Sequence, residues 1–129
     1  MPADLDRQFA RYNLPDHGDL IRNIILWASD NDIPLKVEGP GLMDCNLYHQ
    51  KGRLVLHLTN LTSAGTWRAP MHEYIPVGPV TIKVKLTDDV KGENLKLLVA
   101  DKDLAAEVSE GWSIFTLNSI LNYEVVVLT

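Results

Sequence analysis

Two hydrophobic periods divide the chain. Between Leu20 and Ala28, apolar residues fall at 20, 21, 24, 25 and 28, the spacing of one broad helix stripe. Leu26 and Trp27 widen that stripe until only Asp19, Arg22, Asn23 and Ser29 form a polar strip. Leu14-Pro15-Asp16 predicts the helix start, with Asp16 as N-cap and Asp19 completing an approximate capping box. "SDND" at 29–32 predicts the end, and Ile33-Pro34 opens extended chain. The first dozen residues show no clear period.

Beyond Ile33 the period becomes two, that of half-buried strands. Strands are predicted at 34–38, 42–49, 53–59, 80–86, 95–100, 105–109, 113–117 and 123–128. The most secure hairpin joins "LMDCNLYH" to "RLVLHLT" through the turn "QKGR". Met43, Cys45 and Leu47 alternate with Asp44, Asn46 and Tyr48, while Leu54, Leu56 and Leu58 point one way and Val55, His57 and Thr59 the other. Val80, Ile82, Val84 and Leu86 point inward on the next strand. Residues 60–79 form a polar, aromatic loop of roughly twenty residues, a length that tends to be functional or disordered. The fold class is therefore mainly β: an antiparallel, immunoglobulin-like sandwich of about seven or eight strands, preceded by one N-terminal α-helix.

That helix is more apolar than a closed sandwich requires. A helix apolar around most of its girth expects neighbours on two flanks. Residues 1–31 accordingly read as the tail and last helix of a preceding α/β domain, and 32–129 as the sandwich. Ile21, Ile24, Ile25 and Trp27 are the expected exposed interface, and homodimerisation through them is a further expectation.

Charge narrows the partners. The 129 residues carry a formal charge of −5 with both signs interspersed, so no basic stripe points to nucleic acid. Apolar runs such as Val125–Leu128 are far too short to cross a bilayer. "MPADLDRQFARY" lacks the pattern of a secretory signal. With a single cysteine, Cys45, this inclines the reading toward a cytoplasmic chain without an internal disulfide or a multi-cysteine metal site.

Catalytic motifs are lacking. There is no G-x-S-x-G, H-E-x-x-H, P-loop or G-x-G-x-x-G, and "GPG" at 39–41 reads as a turn. Asp16, His17 and Asp19 cluster, but His17 lacks a ligand partner at helical spacing and capping accounts for both aspartates. His49 and His57 flank one hairpin, close enough in sequence to meet across it; two imidazoles alone make a poor zinc site. Asp88-Asp89 and Asp101-Lys102-Asp103 read as turn formers. No cofactor is expected. The candidate binding surface is the long loop: Trp67 and Arg68, with His72 and Tyr74 close by. Such residues suit a protein interface or a lid over one end of the sandwich. In the alternative reading Trp67 and Tyr74, joined by Tyr48, stack on sugar rings. Asn60-Leu61-Thr62 matches a glycosylation sequon by pattern only.

"PADLDRQFARYNLPDHGDLIRNIILWA" resembles the end of the amidotransferase-like trimerisation domain of bacterial β-galactosidase-type glycoside hydrolases. "VEGPGLMDCNLYHQKGRLVLHLTNLTSAGTWRAPMHEYIPVGPVTIKV" and "LKLLVADKDLAAEVSEGWSIFTLNSILNYEVVVLT" resemble their small C-terminal β-domain. The resemblance implies a parent with a catalytic TIM barrel carrying two carboxylates. No catalytic residue transfers to this chain, which is then an accessory domain whose partners are other domains or subunits of the parent.

Overall fold

The computed structural model describes residues 4–12, 14–62 and 73–129. The chain divides into two compact units, Met1–Ile33 and Pro34–Thr129.

The first unit holds two helices, α1 (Leu5–Tyr12) and α2 (Pro15–Ala28), where the sequence pattern predicts one. α1 is too short for a hydrophobic period to stand out. Within this unit Phe9 of α1 lies against Gly18 of α2, where a Cβ would come within 2.8 Å of the ring. α2 also begins earlier than capping predicts. Leu14 occupies the N-cap without a side-chain hydrogen bond, and Asp16 lies in the first turn. Pro15 explains the shift: its fixed φ and missing N–H suit the first helical position. At the far end Asp30 and Asn31 adopt φ of 53° and 60°, and the Asn31 N–H donates to the Leu26 carbonyl at 2.8 Å. The helix thus ends at "SDND", as the sequence predicts, and the structure adds that it does so through two left-handed residues. Ile24, Ile25 and Trp27 are exposed, Trp27 to 83%, and Ile21 is half-buried.

The second unit is a sandwich of two antiparallel sheets. Its strands are β1 (Leu35–Glu38), β2 (Met43–Gln50), β3 (Arg53–Asn60), β4 (Val80–Lys85), β5 (Asn94–Leu97), β6 (Lys102–Ala105), β7 (Glu107–Ser109), β8 (Trp112–Leu117) and β9 (Tyr123–Leu128). One sheet runs β1-β4-β8-β7 and the other β2-β3-β9-β5-β6. Alternation buries Leu54, Leu56 and Leu58 of β3 against Val80, Ile82 and Val84 of β4, with Phe115, Leu117, Val126 and Leu128 completing the layer between the sheets. Apolar side chains on the two inner faces are what hold such a pair of sheets together.

Two strand ends depart from the sequence pattern. "LKLLVA" stays in a strand only as far as Leu97, because the Glu124 carboxylate accepts the Val99 and Ala100 N–H groups at 2.8 and 3.0 Å. These donors are thereby withdrawn from the sheet ladder. The predicted strand 105–109 is in fact two elements in different sheets. The chain changes sheet at Ala106, whose N–H donates to the Glu93 carbonyl at 3.0 Å.

Asp89 does more than form a turn. It accepts the Gly52 N–H at 2.7 Å, the Thr87 hydroxyl at 2.8 Å and His49 Nε2 at 3.0 Å, so it ties the 85–90 connection to the β2–β3 hairpin. These hydrogen bonds, the Gly52 amide first, hold its carboxyl well below the usual carboxylate range. A depressed folded-state value contributes stability that is complete above the ordinary aspartate pKa of about 3.9 and is lost as pH falls through the lowered value. Asp89→Asn is therefore expected to melt below wild type at pH 7, with the gap narrowing by pH 2. Thermal melts at both pH values check this, and an equal gap at both would show that the site is not proton-linked.

Candidate functional site

The described ends of the long loop converge on one buried amide. Asn60, the last residue of β3, is 3% exposed. Its Nδ2 donates to the carbonyls of Ile75, Ile120 and Leu121 at 2.8, 3.3 and 2.8 Å. Its Oδ1 accepts the Thr62 N–H at 3.0 Å. A single side chain thus joins the strand end, the segment after the long loop and the turn before β9. The same geometry removes Asn60 as a glycan acceptor in the folded chain, because the amide is committed and shielded.

Neighbouring contacts tighten this end. The Leu61 N–H donates to the Leu42 carbonyl at 2.8 Å, and the Leu42 N–H donates to Thr62 Oγ1 at 2.8 Å. A Cβ at Gly41 would come within 2.6 Å of both Thr62 Oγ1 and Val77 Cγ1, so "GPG" is a close-packed turn. At Gly78 φ is 154°, and a Cβ there would run into the Asn118 carbonyl. Val77 forms an isolated bridge with Ile120.

The rim of this end is apolar and exposed. Leu42 (62%), Tyr74 (49%), Ile75 (53%) and Leu121 (55%) all face solvent. Of the four predicted loop residues, Tyr74 stands on this rim; Trp67, Arg68 and His72 lie outside the described residues. Leu42, Ile75 and Leu121 were not singled out from sequence. For Ile75 and Leu121 the signal is a large apolar residue in a connection where polar residues are usual; Leu42 reads in sequence as the first residue of the strand 42–49, and only the structure leaves it outside β2.

The other candidate groups are structural or separate. His49 and His57 do not meet: His49 pairs with Asp89, while His57 stands in edge-to-face contact with Tyr48, centroids 5.6 Å apart. They occupy positions of opposite parity and so opposite faces of their sheet. Glu124, 7% exposed, accepts the N–H groups of Val99, Ala100 and Val125. Lys96 Nζ lies 2.9 Å from Asp101 and 3.7 Å from Asp103, which sits on β6 and not in a turn. Burial, then the nearby Asp44 carboxylate, pushes the Cys45 thiol above its ordinary value, which disfavours the nucleophilic thiolate. Among the described residues, no group of three or more His, Cys, Asp or Glu is placed to hold a metal ion, and no helix is long and apolar enough to cross a membrane.

Comparison with solved structures finds chains of similar fold. No protein-family profile matches the chain and no curated protein sequence matches it. Among solved structures, α-L-fucosidase isoenzyme 2 from Paenibacillus thiaminolyticus is similar with a TM-score of 0.76 and 19% identity, over 96% of this chain and 19% of that one. A cycloisomaltooligosaccharide glucanotransferase from Paenibacillus sp., solved with cycloisomaltoheptaose, is similar with a TM-score of 0.56 and 13% identity, over 74% of this chain and 16% of that one. The likeness is one of fold, and the chain spans 19% and 16% of the lengths of the two enzymes.

Proposed function

We propose that this chain is a non-catalytic accessory β-sandwich of a glycoside hydrolase, packing against neighbouring domains or subunits. One observation carries the reading. The fold match takes in 96% of this chain yet only 19% of the fucosidase, so the common part is a small portion of a large enzyme. That coverage reaches into the helical unit as well as the sandwich. Glycoside cleavage ordinarily uses two carboxyl groups flanking the scissile bond. The two carboxylates most closely held in this chain, Asp89 and Glu124 of seventeen acidic residues, are committed to backbone N–H groups.

The β-galactosidase-type resemblance refines the reading. Residues 1–31 are then the tail of a preceding α/β domain, and Ile21, Ile24, Ile25 and Trp27 the flank that domain covers. In the isolated chain the same flank serves homodimerisation. The rim of Leu42, Tyr74, Ile75 and Leu121 is the second packing surface, with Trp67, Arg68 and His72 in the adjoining loop. The alternative is a carbohydrate-binding module using Trp67 and Tyr74, supported by the exposure of Tyr74 beside that loop.

Two results are expected together. An immunoblot of source cells against this domain gives a band several times larger than 14.5 kDa. The isolated chain gives no turnover of 4-nitrophenyl α-L-fucoside or β-galactoside. A native band at 14.5 kDa would overturn the accessory-domain reading, and turnover by the chain alone would make it an enzyme.

A further inference from the structure

The outward face of the five-stranded sheet carries a line of rings that a packing role for the loop end and the helix does not use. Tyr48 stands opposite Val55, His57 opposite Val125, and Tyr123 opposite Thr59. Each step from Tyr48 to His57 to Tyr123 therefore crosses one strand and advances two residues along β3. The first step is made by direct contact, the rings meeting edge to face at 89°. Diagonal neighbours in a sheet lie about 7–8 Å apart, so the line extends roughly 15 Å, enough to underlie more than one sugar ring. Tyr48 and Tyr123 are 54% and 49% exposed, and His57 is exposed. Val55, Val125 and Val127 are half-buried and form the floor between the rings.

Polar groups flank the line without being used. Asp44 and Asn46 stand opposite Thr59 and His57 on the same face. Among the described residues their side chains make no hydrogen bond. Charge selects the ligand class. Lys96 on this face is compensated by Asp101 at 2.9 Å and Asp103 at 3.7 Å, Arg53 keeps its charge beside the neutral Gln50 amide at 2.7 Å, and Asp44 offsets it, so the face carries no net positive charge. A polyanion is thereby disfavoured. What fits is a neutral, extended, hydroxyl-rich chain: its C–H faces rest on the tyrosines, and its hydroxyls meet the amide, the carboxylate and the imidazole.

We infer that the Tyr48–His57–Tyr123 face is a binding site for a neutral oligosaccharide chain, distinct from the Trp67 loop and from the packing surfaces. The test is affinity electrophoresis and calorimetry of the 129-residue chain with xyloglucan, galactomannan, arabinogalactan and dextran, and with polygalacturonate as an anionic comparison. Wild type is expected to bind at least one neutral polymer. Tyr48→Ala and Tyr123→Ala should each weaken that binding by about tenfold or more, whereas Trp67→Ala and Tyr74→Ala leave it in place. Both tyrosines face solvent, so unchanged thermal melts will show that the variants still fold. Silence of wild type toward every neutral polymer overturns the inference. So does retardation by polygalacturonate alone, or binding that survives the double tyrosine variant. None of these outcomes bears on the accessory-domain reading, which the size of the native polypeptide decides.

Discussion

Asn60→Ala is expected to lower the stability of the sandwich by about 2–4 kcal/mol, a large effect for one polar side chain. The substitution deletes three donated hydrogen bonds and one accepted one at a 3% exposed position. The carbonyl of the buried Ile120 loses the longest of these contacts, at 3.3 Å, but keeps the Val77 N–H at 3.0 Å, so the main loss falls on the part-buried Thr62–Asn60 link and on the other two carbonyls. Those of Ile75 and Leu121 belong to exposed residues and are partly rehydrated, which keeps the cost below the sum of separate penalties. Asn60→Asp separates hydrogen bonding from volume. It keeps the acceptor toward Thr62 but turns an oxygen toward the three carbonyls. Its carboxyl should therefore be favoured in the neutral form, and the variant should recover stability as pH falls from 7 toward 4, the reverse of the Asp89 dependence. Urea unfolding at the two pH values, with hydrogen exchange at Thr62 and Ile75, measures both effects. A loss under 1 kcal/mol for Asn60→Ala would mean that the amide does not hold this end together.

Leu56→Ala should cost about 2–5 kcal/mol, the range for truncating a fully buried leucine. Leu56 is 0% exposed, on the strand between β2 and β9, opposite Leu47 on one side and Val126 on the other. Those partners belong to the same hydrogen-bonded sheet, so the strands are not free to collapse into the space. The cavity term adds to the lost transfer energy. The melting temperature should fall by roughly 10 °C. Thr59→Ala, on the outward side of the same strand, should stay within about 0.5 kcal/mol. Similar effects from both would contradict the assignment of inner and outer faces.

The two variants probe different parts of the chain's logic. Leu56 is legible in sequence because alternation is local: Leu54, Leu56 and Leu58 declare one face wherever the strand is placed. Asn60 is not, since in sequence it is only the first letter of an apparent sequon. Its role arises when chain positions 15 and 61 residues away come within hydrogen-bond distance.

Local pattern alone determined the helix α2 and where it ends, the β2–β3 hairpin, the inward faces of β3 and β4, and the class of fold. Each of these depends on near neighbours: side chains one or two residues apart in a strand, three or four in a helix, and Gly, Asn or Asp at a turn. Tertiary structure decided the rest. It paired β3 with β9 and β4 with β8, stopped β5 at Leu97 through Glu124, and moved the chain between sheets at Ala106. Only the tertiary fold separated His49 from His57 and brought Tyr48, His57 and Tyr123 into one line. It also raised an exposed apolar rim over Asn60. The physical reason is common to all of these. A period shows which side of an element is apolar, but hydrogen bonds between residues tens of positions apart choose its neighbours, and those neighbours decide which polar groups are consumed by the fold and which stay free to bind.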